Sequence, residues 1–244
     1  MPQHITPQSP TIQRPSVRLV LAISLDGRLA PAQGGAAQLG GEGDRQALER
    51  ALAWADACLI GAGTLRAHQC TCLIRNPQLL EQRRREGRPQ QPAAVVVSRS
   101  PDFSHKWLFF RQPLRRWLLS DGSDQPGFEV HVQPGPTWYL TLQRLAEQRL
   151  TKLVLLGGAG LTASMLQEDC IDELQFTLTP RLLGGAHCWL PVSQPLNPLP
   201  SALQSSQGWT LEAVTPLGGD ELLVHYRRRR YADENPPYGG AIFA

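Results

Sequence analysis

Residues 153–166 read LVLLGGAGLTASML, and the order of residue types in that stretch decides the fold. Lys152 to Leu156 is a short apolar run that stops abruptly at Gly157-Gly158-Ala159-Gly160, after which Leu161 to Gln167 reads as a helix. A buried strand that turns through glycine directly into a helix leaves the first N–H groups of that helix without partners. Such a corner binds anionic phosphate.

The same alternation extends in both directions. Upstream, Val17 to Leu25 (VRLVLAISL) reads as a first buried strand and Glu42 to Ala55 as a helix with Ala47, Leu48, Ala51 and Leu52 on one face. Asp56 to Gly61 (DACLIG) is a second strand that enters a glycine-containing turn, which completes a βαβ unit. Gln78 to Gly87 is a polar helix or extended loop, and Ala93 to Ser98 (AAVVVS) is the run richest in β-formers. Trp117 to Ser120 and Phe128 to Val132 are short strands, and Leu140 to Leu150 is a helix. Downstream, Ile171 to Leu183 reads as a long strand with Pro180 near its end. Trp209 to Val214 and Glu221 to Arg228 form a hairpin around Gly218-Gly219. The expected fold is α/β: one three-layer domain over residues 17–230, with a mostly parallel central sheet closed by a C-terminal antiparallel edge hairpin. Residues 1–16, with Pro2, Pro7, Pro10 and Pro15, and residues 231–244, with Pro236-Pro237, read as disordered tails.

Composition narrows the function. Among 244 residues, 24 Lys and Arg face 21 Asp and Glu, so a net charge of +3 argues against broad attraction to nucleic acid. Apolar residues make up 41 %, yet no uncharged run reaches the roughly 18 residues that span a bilayer. The five cysteines (Cys58, Cys70, Cys72, Cys170, Cys188) form no pair of CxxC knuckles. A reducing, cytoplasmic setting without a structural metal is expected, and His68-x-Cys70-x-Cys72 reads as incidental. Arg227 to Arg230 read as a solvated strand end that discourages sheet-to-sheet pairing.

Four turns follow strands and carry ligand-type residues: Ser24 to Ala30 (SLDGRLA), Gly61-Ala62-Gly63-Thr64-Leu65-Arg66, Ser98-Arg99, and Gly157 to Gly160. Glycine lets a backbone approach a ligand closely, Thr64 and Ser98 offer hydroxyls, and the planar guanidinium of Arg99 suits the extra 2′-phosphate of NADP.

These motifs in this order resemble the reductase domain that forms the C-terminal half of the bifunctional riboflavin-biosynthesis pyrimidine deaminase/reductase, a relative of dihydrofolate reductase. The carriers are SLDGRLA at 24–30, ADACLIGAGTLRA at 55–67, VVVS at 95–98, LVLLGGAGLTASML at 153–166 and IDELQFTLTPRLLGG at 171–185. The resemblance implies a homodimer that binds NADPH and reduces the ribosyl group of 5-amino-6-(5-phosphoribosylamino)uracil to ribityl. It places the cofactor against Thr64, Ser98, Gly157, Gly158, Ala159 and Gly160, with Ala22 or Ile23 lining it beside the Arg99 read above, and the phosphorylated substrate near Arg45 and Arg75. The chain departs from the family where His68 stands at a usual Asp, Leu156 at a usual Glu, and Ala36 and Gln38 at a usual Ser and Trp. Only a short proline-rich stretch precedes Val17, so no deaminase half is expected. His68 could donate a proton near neutral pH, which makes it the candidate catalytic residue. Two alternatives stay open: a reductase of another carbonyl, imine or pterin-like substrate, and a nucleotide-binding protein without catalysis.

Overall fold

The computed structural model of the chain describes residues 14–35, 38–190 and 199–230. Of the tails expected at 1–16 and 231–244, residues 1–13 and 231–244 lie outside the described residues, as does Ala36, whereas Arg14 to Ser16 are described and Ser16 opens the first strand.

In chain order the elements are β1 (Ser16–Ser24), α1 (Glu42–Trp54), β2 (Ala57–Gly61), α2 (Ala62–His68), α3 (Pro77–Arg85) and β3 (Ala93–Val97), then a 3-10 turn (Leu108–Arg111). They continue with β4 (Arg116–Leu119), β5 (Val130–Val132), α4 (Trp138–Glu147), β6 (Lys152–Leu155), α5 (Ala159–Gln167), β7 (Glu173–Thr179), α6 (Ser201–Gln204), β8 (Trp209–Gly218) and β9 (Glu221–Arg228). The strands form one sheet in the order β5-β4-β3-β2-β6-β1-β7-β9-β8. Pairing is parallel from β5 through β7, and β9 and β8 join antiparallel at one edge. The mostly parallel sheet with its antiparallel hairpin is therefore as expected, and among the described residues no helix is long and apolar enough to cross a membrane.

Alternation along the strands sorts the side chains into two cores. Leu19, Leu59, Val95 and Leu155 meet Leu142 and Leu145 of α4 and Met165 of α5 on one face. Cys58, Ile60, Ala94 and Val96 meet Leu52 of α1, Leu65 of α2 and Ile74 on the other. Parallel strands buried on both faces read as continuous apolar runs, which is why DACLIG and AAVVVS were legible.

Local differences have local causes. The polar stretch near Gln78 is a helix because Asn76 caps it, its side chain accepting from Gln78 N at 2.8 Å, with Pro77 in the first turn. The turn after Gly61 is instead α2, and Leu25, read as the end of the first strand, stands exposed beyond it. Strand β1 begins at Ser16, after Arg14, whose guanidinium donates to both carboxylate oxygens of Asp172 at 2.8 and 2.7 Å.

The solvated reading of Arg227 to Arg230 is corrected. Arg228 is buried, donates to Asp169 at 2.9 and 3.0 Å and to Gly208 O at 2.8 Å, and lies over Trp209. Arg230 pairs with Asp169 and Asp172, and Arg227 with Glu212. The edge of the sheet is β8, so these arginines tie β9 to its neighbours.

A second arginine pair fixes the end of α1. No basic residue stands in the last turn of that helix, and its final carbonyls are met by Arg83 and Arg88. Arg83 Nη1 donates to Ala53 O at 2.9 Å and Ala55 O at 2.7 Å, and Arg88 donates to Ala53 O at 2.9 Å and Trp54 O at 3.0 Å. Arg83 is almost wholly buried, and burial, with the Arg88 charge nearby, lowers its pKa to about 10. Removing a buried donor strands several acceptors at once. Arg83→Met should therefore destabilise the protein by about 3 kcal/mol in chemical denaturation, and a loss below about 1 kcal/mol would show that water replaces the guanidinium.

Candidate active site

Because the strands from β5 through β7 are parallel, their carboxyl ends lie along one edge of the sheet. Chain order runs outward from β2 to β5, and then β6 returns between β2 and β1. A crevice opens at such a reversal of strand order. Gly61 ends β2 and Gly157-Gly158 follow β6, and the two corners touch: Gly61 N–H donates to Gly157 O at 3.4 Å. A Cβ on Gly61 would stand 3.6 Å from Gly158 Cα. Gly157 and Gly158 hold φ of 108° and 102°, which side chains rarely adopt.

Each corner opens directly into a helix. Gly61 precedes α2 and Gly158 precedes α5, and neither start has a side-chain cap. Two sets of first-turn N–H groups therefore converge on one place, with the positive ends of both helix dipoles. A Cβ on Gly63 or Gly160 would meet nothing within 4 Å, so the backbone is open there. The groove around them measures about 1910 Å³.

Along the groove from the glycines lie the ends of β3 and β4. Ser98 is buried, its Oγ accepting from Ser100 N at 3.2 Å, while the Arg99 side chain is exposed beside it. In the other direction, Glu49 of α1 is buried and its Oε2 accepts from Arg75 N at 2.9 Å and Asn76 N at 2.7 Å. That clamp holds the loop carrying Arg75 against the helix carrying Arg45, and both arginines line the groove. Arg45 also contacts Glu42 and lies 3.9 Å from Glu49.

Of the residues singled out from sequence, Ala22, Thr64, Ser98, Arg99, Gly157 to Gly160, Arg45, Arg75 and His68 all border this one groove. Ile23 does not. It is buried in the core beside Leu21, which itself borders the groove. The SLDGRLA turn is tied to the segment after β7, since Asp26 takes Ser24 Oγ at 2.5 Å, Leu183 N at 3.1 Å and Gly184 N at 2.8 Å. Those hydrogen bonds, led by that from Ser24, hold the Asp26 carboxyl well below the usual carboxylate range. His68 stands exposed at the end of α2. Burial pushes the Cys58 thiol up to about 12, so it stays protonated near neutral pH.

Two wall features escaped the sequence reading. Asp44 on α1 borders the groove, and so does Trp138, whose indole N–H donates to Ser164 Oγ at 2.9 Å and whose backbone N–H donates to Glu168 at 2.6 Å. An Asp in a first turn reads as a helix start, and a Trp before a helix as packing.

The RibD C-terminal domain model matches residues 15–212. The chain belongs to the RibD C-terminal domain family. Riboflavin biosynthesis protein RibD of Haemophilus influenzae is 28 % identical over 225 residues, covering 86 % of this chain and 58 % of that protein. The chain thus spans less than two thirds of that relative's length. A Methanothermobacter thermautotrophicus protein named 2,5-diamino-6-ribosylamino-4(3H)-pyrimidinone 5′-phosphate reductase is 26 % identical over 227 residues, covering 87 % of this chain and 98 % of that one. Among solved structures, Acinetobacter baumannii RibD superposes with a TM-score of 0.71 at 23 % identity, covering 89 % of this chain and 59 % of that one. Dihydrofolate reductase from Enterococcus faecalis complexed with NADP(H) gives 0.54 at 13 %, covering 89 % and 99 %. At those identities the likeness is one of fold.

In this member of the RibD C-terminal domain family the glycine corners, Leu156 and His68 border one groove. The corner sets a clear test. Gly158→Ala forces a side chain onto φ of 102° against Gly61 Cα at 3.5 Å and should cost about 1–3 kcal/mol of stability. Gly160→Ala, which meets open space, should stay within about 0.5 kcal/mol of the parent in the same denaturation series.

Proposed function

We propose that the chain is an NADPH-dependent reductase of riboflavin biosynthesis that converts the ribosyl group of 5-amino-6-(5-phosphoribosylamino)uracil to ribityl. The observation that carries the reading is that the Gly61 and Gly157-Gly158 corners meet in the same groove that Arg45 and Arg75 border. The named reductase relative that is matched over nearly its whole length supports it too.

The residues present fit such a cofactor. Any Cβ at Gly61 or Gly158 would enter the space between the two corners, and that backbone offers first-turn amides of α2 and α5 to a pyrophosphate. Ser98 and Arg99 sit where a hydroxyl and a guanidinium would hold the 2′-phosphate. When bound, the reduced nicotinamide supplies two electrons and a hydrogen to an electrophilic carbon. The chain's own residues bind and orient: the glycine corners fix the dinucleotide, Ala22 and Thr64 flank it, and Arg45 and Arg75 hold the sugar phosphate by charge-assisted hydrogen bonds. Two side chains that could exchange a proton border the groove, His68 from its rim and Asp44 from its wall. The protein acts in the cytoplasm as a homodimer joined at the sheet edge, where Leu211 and Val214 of β8 are exposed.

A second reading rests on Leu156. An apolar side chain cannot accept a hydrogen bond from a pyrimidine, and an unmatched polar group there costs about 1–3 kcal/mol. The acceptor in that reading is a different small carbonyl, imine or pterin-like molecule. Consumption of NADPH, followed by loss of reduced-nicotinamide absorbance, should require the phosphoribosylaminouracil. Tight NADPH binding with no turnover of that compound would favour the second reading. Arg99→Ala should weaken NADPH about tenfold, roughly 1.4 kcal/mol, and NADH by less than about twofold. An equal loss for both would remove Arg99 from the 2′-phosphate.

A further inference from the structure

We propose that Gln91 and Gln112 are positioning residues for substrate selection: with Glu49 they hold loop 69–76 so that the guanidinium of Arg75 favours a phosphorylated substrate over the same compound without its phosphate. The inference rests on the proposed function, which gives Arg75 the sugar phosphate, and it names the residues that fix that arm in place.

The loop has backbone groups to satisfy. It leaves α2 at Gln69, whose φ of 55° ends the helix, and residues 71–76 then run without helix or strand until Pro77 opens α3. Peptide groups outside a ladder need other partners. Thr71 and Ile74 find them in side-chain amides, which carry the same donor and acceptor as a peptide. Gln112 Oε1 accepts from Thr71 N at 2.9 Å, and Gln112 Nε2 donates to Thr71 O at 2.7 Å. Gln91 repeats the arrangement on Ile74, its Oε1 accepting from the N–H at 2.9 Å and its Nε2 donating to the carbonyl at 2.8 Å.

The restraints come from separate parts of the fold. Gln112 follows the 3-10 turn, Gln91 stands two residues before β3, and Glu49 of α1 takes the N–H groups of Arg75 and Asn76. Phe109 N also donates to Gln69 O at 2.9 Å, and the Ile74 side chain is buried in the same core as Leu65. Gln112 is buried and is itself fixed, since its carbonyl accepts from Arg116 Nη1 at 3.0 Å. A loop held at Gln69, Thr71, Ile74, Arg75 and Asn76 needs little further ordering when a ligand arrives.

Arg75 is what this loop presents. It is exposed and borders the groove, and its guanidinium makes no hydrogen bond or ion pair among the described residues. Arg45, by contrast, contacts Glu42 and lies 3.9 Å from Glu49. Of the two arginines, Arg75 is therefore the cation left to meet an anion, and a planar guanidinium suits the oxygens of a phosphate monoester. A fixed backbone limits the space that its long side chain must search. Gln91 does not border the groove, so its effect on selection passes through the loop.

The test is the ratio of kcat/KM for 5-amino-6-(5-phosphoribosylamino)uracil to that for the same compound without its phosphate, a ratio in which effects on hydride transfer cancel. Arg75→Ala should lower the ratio about tenfold or more. Gln91→Met keeps the length of the side chain and removes both hydrogen bonds. It should lower the ratio about threefold to tenfold, with the loss appearing in KM for the phosphorylated compound. Gln112→Met tests the second amide in the same way, and carries the test if Gln91→Met does not fold. In the Arg75→Ala background neither variant should lower the ratio further. An unchanged ratio in the glutamine variants, or the same loss with and without Arg75, overturns the proposal. So does an equal loss on both compounds, which marks a general loosening of the fold. A parent that turns over neither compound defeats the reductase reading, and binding then tests the loop by itself. Ribose 5-phosphate should shift the Arg75 amide and bind at least about tenfold more tightly than ribose, and equal affinities overturn the proposal.

Discussion

The contact between Gly61 and Gly157-Gly158 is the constraint on which the rest depends. Two strand ends can approach to 3.6 Å between a Cβ position and a Cα only when both corners lack side chains, and the left-handed φ at 157 and 158 turns the chain immediately into α5. Placed side by side, the uncapped starts of α2 and α5 add their partial positive charges at one point. The insertion of β6 between β2 and β1 makes that point a crevice rather than a flat edge. The groove is thus a result of strand order and two glycine corners, and the side chains along it adjust what it accepts.

Those side chains divide by position. Toward β3 and β4 they are a hydroxyl and a guanidinium, suited to phosphate. Toward α1 they are Arg45, Arg75 and a buried Glu49 that locks the two elements together. Leu156, His68 and Asp44 border the same groove.

Much of this was legible in the chain. The parallel strands read as unbroken apolar runs because both faces are buried, and the glycine corners declared themselves by following those runs directly. Helix α2 was missed because glycine near its start reads as a turn, and only the packing of Leu65 into the core reveals it. The resemblance gave Ala22 or Ile23 beside the cofactor, and of the two it is Ala22 that borders the groove. Arg83 looked like one charge among many on a polar stretch, since the carbonyls it meets belong to α1. Asp44 was passed over because an acid in the first turn of a helix reads as a helix start, and only the fold turns it to the groove.

The central claim is that the amides of both corners receive one dinucleotide. Backbone amide shifts of the isotope-labelled protein, followed as NADPH is added, test it most directly. Gly61 to Thr64 and Gly157 to Leu161 should shift together along one saturation curve. Shifts confined to one corner, or distributed over the opposite edge of the sheet, would contradict the account.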